Sequence, residues 1–526
     1  MISKSCPGIT LIFKLSLSSL RQTCLPTGRL RLTMILGQSL INYDRQCRYL
    51  LKFGETQKEN ILEAELAMHI QQPGLRIIAI IVSCFLASNF YAQSKTGSQT
   101  KATRLKIAAE MERSIKTELL NKWYPGSVDS TYGGFITTYT YDFKPTGSQD
   151  KFIVTQARHT WSTAKASELY PESPWYLSCS KNGFHFLRDF MWDKTYGGFY
   201  SLVDREGNDK SDPVAPKNAY GNAFAIYALA AYYHASHDTS ALNLAKKAFL
   251  WMEKHSHDPL HKGYYQHLQR DGTPIMRNAT IPSTSDIGYK DQNSSIHLLE
   301  AFTELYGVWK HEVVRARLEE MLFLIRDKLT TKKGYLTLFF QPDWTPISFR
   351  DSSEASILKH KHLDHVSFGH DVETAYLMVE AAEALGLKND AETWNVGKRM
   401  VDHALKNGWD KSVGGFYNEA YYFKGRDTIS IIYDSKTWWA QAECMNTLLL
   451  MADHYPNDPM KYFDKFVKLW NYNKAYLIDH VYGDWYEQGL DKEPDKKTAL
   501  KGHIWKATYH QFRALSNCVK SLRQND

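Results

Sequence analysis

Residues 129–135 read DSTYGGF, and the same phrase returns along the chain. Asp193 to Phe199 is DKTYGGF and Asp410 to Phe416 is DKSVGGF. Looser copies run from Asp258 to Tyr264 (DPLHKGY), from Asp327 to Tyr335 (DKLTTKKGY) and from Asp479 to Trp485 (DHVYGDW). Successive copies begin 64 to 83 residues apart. A glycine pair ahead of an aromatic residue suits a tight turn at positive φ that leads into a short strand. Six copies at such a period mark a repeat architecture.

Each gap between copies reads as two helices. In the second gap these are Asn218 to Tyr233 (NAYGNAFAIYALAAYY) and Ser240 to Lys254 (SALNLAKKAFLWMEK). The first is alanine-rich and apolar nearly all round, the pattern of a helix buried on most sides. The second is amphipathic and belongs outside, as does AETWNVGKRMVDHALKN in a later gap. Five pairs, with one lone helix at about 103–122 and another at about 503–522, make twelve. A repeat that begins and ends in half-units can close into a ring, and the alternative is an open helical solenoid.

The chain has 526 residues, 43% hydrophobic and 23% charged, an ordinary globular balance. Aromatic residues reach 13%, which suits either carbohydrate-facing surfaces or a large aromatic core. The net charge of +7 is spread thinly and does not indicate nucleic acid; residues 1–67 alone hold nine Lys/Arg against five Asp/Glu. Ile77 to Ala87 (IIAIIVSCFLA) is too short to span a bilayer. With Arg76 before it and Met68 upstream, residues 68–92 read as a secretory signal peptide, which implies a periplasmic protein. Ser88 or Ala92 precedes the cut; a lipobox ending at Cys84 is disfavoured by the apolar residues after it. Residues 1–67 show no convincing period and would bury that signal internally, so they read as a disordered upstream extension, with the native start at Met68. Residues 93–526 are then a single domain. Beyond the leader only Cys179, Cys444 and Cys518 remain, too few and too scattered for a disulfide framework or a zinc site.

Each buried helix starts just after a turn or connecting loop, so their first turns open at one end of the ring. Those starts carry Arg158, Tyr220, Asn222, Asn293, His297, His370, Glu373, Trp438, Trp439, Glu443, Trp505 and His510. The segments around them, RHTW at 158, YGNAF at 220, NSSIHLLEA at 293, SFGHDVE at 367, WWAQAE at 438 and KGHIWKATYH at 501, together resemble the N-acylglucosamine 2-epimerase/cellobiose 2-epimerase family over about residues 103–520. The ending WKATYH is more similar to the cellobiose branch. That resemblance implies an all-α (α/α)6 barrel with short β-hairpin loops at one end, and a sugar 2-epimerase without cofactor or metal. It implies His370 and His510 as the acid/base pair, with His297 opening the pyranose ring or binding its oxygen. Arg158 would hold the enediolate oxygen, Tyr220 and Asn293 would bond hydroxyls, and Trp439 or Trp438, with Trp505, would stack on sugar rings.

The chemistry agrees with this set. Inversion at C2 removes a proton alpha to the open-chain aldehyde and returns one on the other face. Imidazole does both near neutrality, and a guanidinium stabilises the enediolate as it forms. Glu373, three residues after His370, shares its helix face and is expected to orient that imidazole; Asn222 is expected to bind substrate. Ser295 stands where many relatives have histidine and Thr508 where many have proline, which bears on sugar preference more than on the reaction. His360, His362 and His365 sit in a polar loop and are not read as a metal site. An aldose–ketose isomerase shares the enediolate and stays open. A glycoside hydrolase would need two opposed carboxylates, and a non-catalytic carbohydrate binder would not need both histidines. The partner expected is a small sugar, with neither nucleic acid nor a membrane span, on a monomer or weak dimer.

Overall fold

The computed structural model describes residues 101–387 and 390–524, with two short strands in the leader, Gln22–Cys24 and Leu30–Leu32, that pair antiparallel. The rest of the expected extension (1–67) and the signal segment (68–92) lie outside the described residues. From residue 101 onward the chain is one compact unit.

Six inner helices form a ring: α2 (Ile153–Leu169), α4 (Ala219–Ser236), α6 (Gln292–Val308), α9 (Phe368–Ala384), α11 (Trp438–His454) and α13 (Tyr509–Gln524). Each packs on the next, and α13 packs back on α2. The ring is closed, and the open solenoid is excluded. Outside it lie α1 (101–123), α3 (Trp175–Phe186), α5 (Thr239–His255), α7 (Glu312–Leu324), α10 (Ala391–Asn407) and α12 (Tyr462–Tyr476). A short extra helix, α8 (Glu354–His360), precedes α9. The closing pair joins the two ends of the unit, α1 against α13, where Arg104 Nη2 donates to the Ser521 carbonyl at 3.2 Å. This is the (α/α)6 barrel.

Burial follows composition. Every residue of α4 from Ala219 to Tyr232 is buried, because its alanines let both ring neighbours and α5 approach closely. Outer α10 buries one stripe, including Val396, Met400, Val401 and Ala404. The last inner helix starts at Tyr509 rather than near 503; the segment before it is held as a loop by pairing of Gly502 with Tyr139. Cys179, Cys444 and Cys518 are buried free thiols. Among the described residues no helix is long and apolar enough to cross a membrane.

The turns decide where the inner helices begin. Gly133 and Gly134 have φ of +80° and +66°, and a Cβ on Gly134 would meet Gln156 Oε1 at 2.6 Å. The repeated aspartate anchors each turn through its backbone, as in Asp129 N to Gly134 O (2.9 Å) and Gly133 N to Asp129 O (2.8 Å). Its carboxylate meets a wholly buried lysine from the segment before the inner helix, a short strand in the first three repeats. These pairs are Lys151–Asp129 (3.1 Å), Lys217–Asp193 (3.0 Å), Lys290–Asp258 (2.8 Å) and Lys436–Asp410 (2.8 Å). The sixth repeat carries two, Lys501–Asp479 (2.8 Å) and Lys506–Asp484 (2.5 Å).

The fourth repeat differs from its expected register. Asp327 lies before the turn and pairs with Arg326, while Thr331 takes the anchoring place, with Gly334 N bonding its carbonyl at 3.0 Å. An alignment on aspartate alone is drawn four residues off, because nothing at Thr331 resembles the other copies. The lysine position is Val366, so this repeat lacks both partners of the pair.

Burial by itself pushes the Asp258 carboxyl up, yet Lys290, the His261 amide and the Tyr265 hydroxyl hold it down at about 2. Burial also lowers the Lys290 ammonium, so the pair's gain is lodged on the carboxylate. Lys290→Met is therefore expected to cost about 3–5 kcal/mol, because it strands a buried carboxylate. Lys290→Val with Asp258→Thr, which copies the fourth repeat, should cost less than that single change. Urea denaturation at pH 7 measures both, and losses that simply add would remove the pair from this role. The Asp258 contribution is complete above its ordinary value of 3.8 and disappears as pH falls through about 2.

Candidate active site

The start of α9 places His370 at the strand end of the barrel. Ser367 stands at the N-cap of this helix, but its hydroxyl makes no cap bond and instead meets His370 Nδ1 at 2.9 Å. His297, in the second turn of α6, is held through Nδ1 by Glu300 Oε2 at 2.9 Å. His510, in the first turn of α13, is held through Nδ1 by Glu443 Oε1 at 2.8 Å. All three imidazoles are thus anchored on one nitrogen, which leaves each Nε2 for other chemistry. His370 is partly open to solvent, while His297 and His510 are 3% and 5% exposed.

Aromatic rings tie the three together. Trp439 lies against His370 with ring centroids 4.6 Å apart and against His510 at 5.9 Å. Tyr220 and Phe224 flank His297 at 5.2 and 4.7 Å. The Arg158 guanidinium donates to the Trp505 carbonyl at 2.8 Å and to the Tyr220 hydroxyl at 3.3 Å, and its Nε has no protein partner. Asn293 Oδ1 is buried and likewise unpartnered. Trp505 is 46% exposed, its edge against Phe152.

Beneath these groups Arg513 joins three helices. Its guanidinium bonds Glu300 of α6, Glu373 of α9 (2.5 Å) and Glu443 of α11 (2.8 Å), and Tyr509 also bonds Glu300. Arg513, even with the charge of Arg158, does not balance three buried carboxylates, which favours their protonated forms. Burial pushes Glu373 up to about 8 and Glu443 upward. Burial, then the charge of Arg158, lowers His297 and His510; burial, with His297 next, lowers His370 to about 3. His510 Nδ1 and Glu443 Oε1 thus meet in a place where burial disfavours charge on both groups.

Most of the expected residues gather at this mouth: Arg158, Tyr220, Asn293, His297, His370, Trp439, Trp505 and His510. Two expected positions have other duties. Asn222 Oδ1 accepts from the Phe199 backbone at 3.0 Å and its Nδ2 donates to the Asn218 carbonyl at 2.8 Å, so its amide is committed to the turn. Glu373 bonds Arg513, and Ser367 rather than Glu373 holds His370. Trp438 is buried beside Lys506 and His503, leaving Trp439 to face the imidazoles. His360 and His362 bond Ser283 and the Thr284 carbonyl, which fastens one loop to another. Arg513, Glu300 and Ser367 were not anticipated. The spacing of 297 to 300, 370 to 373 and 510 to 513 was the available signal, since residues three apart share a helix face.

A buried guanidinium and three imidazoles meet at the mouth of this α/α barrel, and the chain's relatives make it a sugar epimerase or isomerase. The chain belongs to the N-acylglucosamine 2-epimerase family, whose model matches residues 134–514. It is 28% identical over 424 residues to the cellobiose 2-epimerase of Bacteroides fragilis, covering 79% of this chain and 98% of that one. It is 22% identical over 415 residues to the D-mannose isomerase of Marinomonas mediterranea, covering 76% and 94%. Among solved structures, the cellobiose 2-epimerase of Spirochaeta thermophila matches with a TM-score of 0.67 at 28% identity, covering 81% of this chain and 98% of that one.

These shifts set a pH dependence. Because burial lowers His370 to about 3, the free enzyme keeps this imidazole neutral well below the ordinary histidine value of 6.5. A profile of kcat/KM against pH should stay level from pH 7 down to about 5, with the acid limb below that. An acid limb centred near 6.5 would contradict this electrostatic picture.

Proposed function

We propose that the enzyme inverts C2 of the reducing-end sugar of a β-linked disaccharide of the cellobiose or mannobiose type. The observation that carries this reading is that His370 and His510, on different helices, pack against one indole, Trp439, each with Nε2 free. A sugar carbon between two such nitrogens can lose a proton to one and gain a proton from the other. In one direction His370 Nε2 takes the C2 proton, and His510 returns one from Nε2 while receiving the Glu443 proton at Nδ1. The opposite epimer reverses the two roles. Arg158 holds the enediolate oxygen as charge develops, in a site where burial strengthens that attraction. His297 assists opening of the pyranose ring, and Tyr220 and Asn293 bond hydroxyls. Trp439 and the exposed Trp505 stack on sugar rings, and a second ring beyond Trp505 favours a disaccharide. The similarity to cellobiose 2-epimerases supports this choice. The signal-like segment at 68–92 supports a periplasmic location.

A second reading is an aldose–ketose isomerase, favoured by the similarity to D-mannose isomerase. It differs only in the carbon that is reprotonated. A hydrolase fits poorly, since the Glu373 and Glu443 carboxyls are both bound to Arg513 rather than opposed across a cleft.

Incubation with cellobiose, mannobiose and N-acetylglucosamine in D2O, followed by NMR, separates these readings. The expected outcome is a C2 epimer of a disaccharide with deuterium at C2, and loss of about 10²–10⁴-fold in kcat for His370→Ala and for His510→Ala. A ketose product would establish the isomerase instead. No turnover of any of the three would refute the epimerase.

A further inference from the structure

The repeat that carries His370 is the one without the lysine–aspartate pair, and it fastens its strand to its helix by another residue, Asp371. In the first and fifth repeats the equivalent side chains, Gln156 and Gln441, grip one strand residue twice. Gln156 Oε1 accepts from Phe135 N at 2.8 Å while Nε2 donates to Phe135 O at 2.9 Å. Gln441 does the same with Phe416, at 2.8 and 2.8 Å. Asp371 Oδ1 accepts from Leu336 N, the matching strand residue, at 2.8 Å. Its other oxygen, Oδ2, corresponds to the amide nitrogen; it is buried and has no hydrogen-bond partner. A carboxylate would leave that oxygen charged and unpaired in the interior, which is strongly unfavourable. A carboxylic acid supplies the missing donor.

We propose that Asp371 works as a neutral carboxylic acid that donates its proton to a backbone carbonyl, as the amides of Gln156, Asn222 and Gln441 do at the same helix position, and thereby positions His370. The positioning half of this rests on the reading of His370 as a proton-transfer group. The surroundings are consistent with the acid form, since burial pushes the carboxyl well above the usual carboxylate range. The titratable groups whose charge it reaches, the Tyr422 phenol and the Cys444 thiol of α11, carry no positive charge. A neutral neighbour also spares His370 a negative charge that would favour its protonation. Asp371 is thus a positioning residue, distinct from the groups that meet substrate.

Three variants of the full chain test this: Asp371→Asn, Asp371→Ala and His370→Ala. An infrared difference spectrum, wild type minus Asp371→Asn at pH 7, should show a carboxylic-acid carbonyl band that shifts in D2O. Asp371→Asn should keep kcat within about threefold, whereas Asp371→Ala should lose about 10²-fold in kcat with KM little changed, as expected of a misplaced base. Absence of the band, or an Asp371→Asn variant as impaired as Asp371→Ala, overturns the acid. If Asp371→Ala does not fold, the spectrum and the asparagine variant still decide. Undiminished turnover by His370→Ala overturns the positioning half together with the functional reading, while the band reports on the acid independently.

Discussion

A buried ammonium against a buried carboxylate is the contact that five of the barrel's six repeats share. Each such lysine sits just before an inner helix, and each aspartate sits in the preceding turn. Their pairing therefore ties the turn to the segment where the helix begins. Lys151 has its three donors used, by Asp129 and by the carbonyls of Gly133 and Arg205, and Lys217 repeats the arrangement with Asp193, Gly197 and Arg270. Full satisfaction is what makes such a charge tolerable inside a protein. It also makes the two partners inseparable, which explains why the fourth repeat has lost both.

That start point matters because the first turns of the inner helices are the site. Moving the start of α9 by one residue would rotate His370 by about 100° around the helix axis. The same low-polarity interior that costs free energy for every buried charge also lowers the proton affinity of all three imidazoles. Arg513 gathers Glu300, Glu373 and Glu443 around one positive charge, and two of those carboxyls hold imidazoles. The site is accordingly a linked network of ion pairs and hydrogen bonds more than a set of separate residues.

Much of this was legible because a repeat speaks six times. The turn phrase, the alanine-rich inner helix and the amphipathic outer helix each recur, so an error in one copy is corrected by the others. The fourth copy shows the limit: with Thr331 for aspartate and Val366 for lysine, the register fell on Asp327, which pairs only with its neighbour Arg326. At the mouth, position on an inner helix marked out His297, His370 and His510, but partners were harder to read. Asn222 resembled a substrate ligand because a polar residue at a helix start fits both a pocket and a turn. Glu373 was assigned to its own helix neighbour, since contacts three residues apart are visible in a sequence and contacts 140 residues apart are not.

From the amino-acid sequence alone came the period, the closed ring of paired helices and the list of polar residues at their starts, because each depends on local patterns of turns and burial. Only the folded chain decided which of those residues meet. Arg513 reaches Glu300, Glu373 and Glu443 across the barrel axis, Trp439 rather than Trp438 packs against both His370 and His510, and Asp371 stands at the position of an amide. Those are consequences of ring closure, which brings together side chains whose separation along the chain carries no signal.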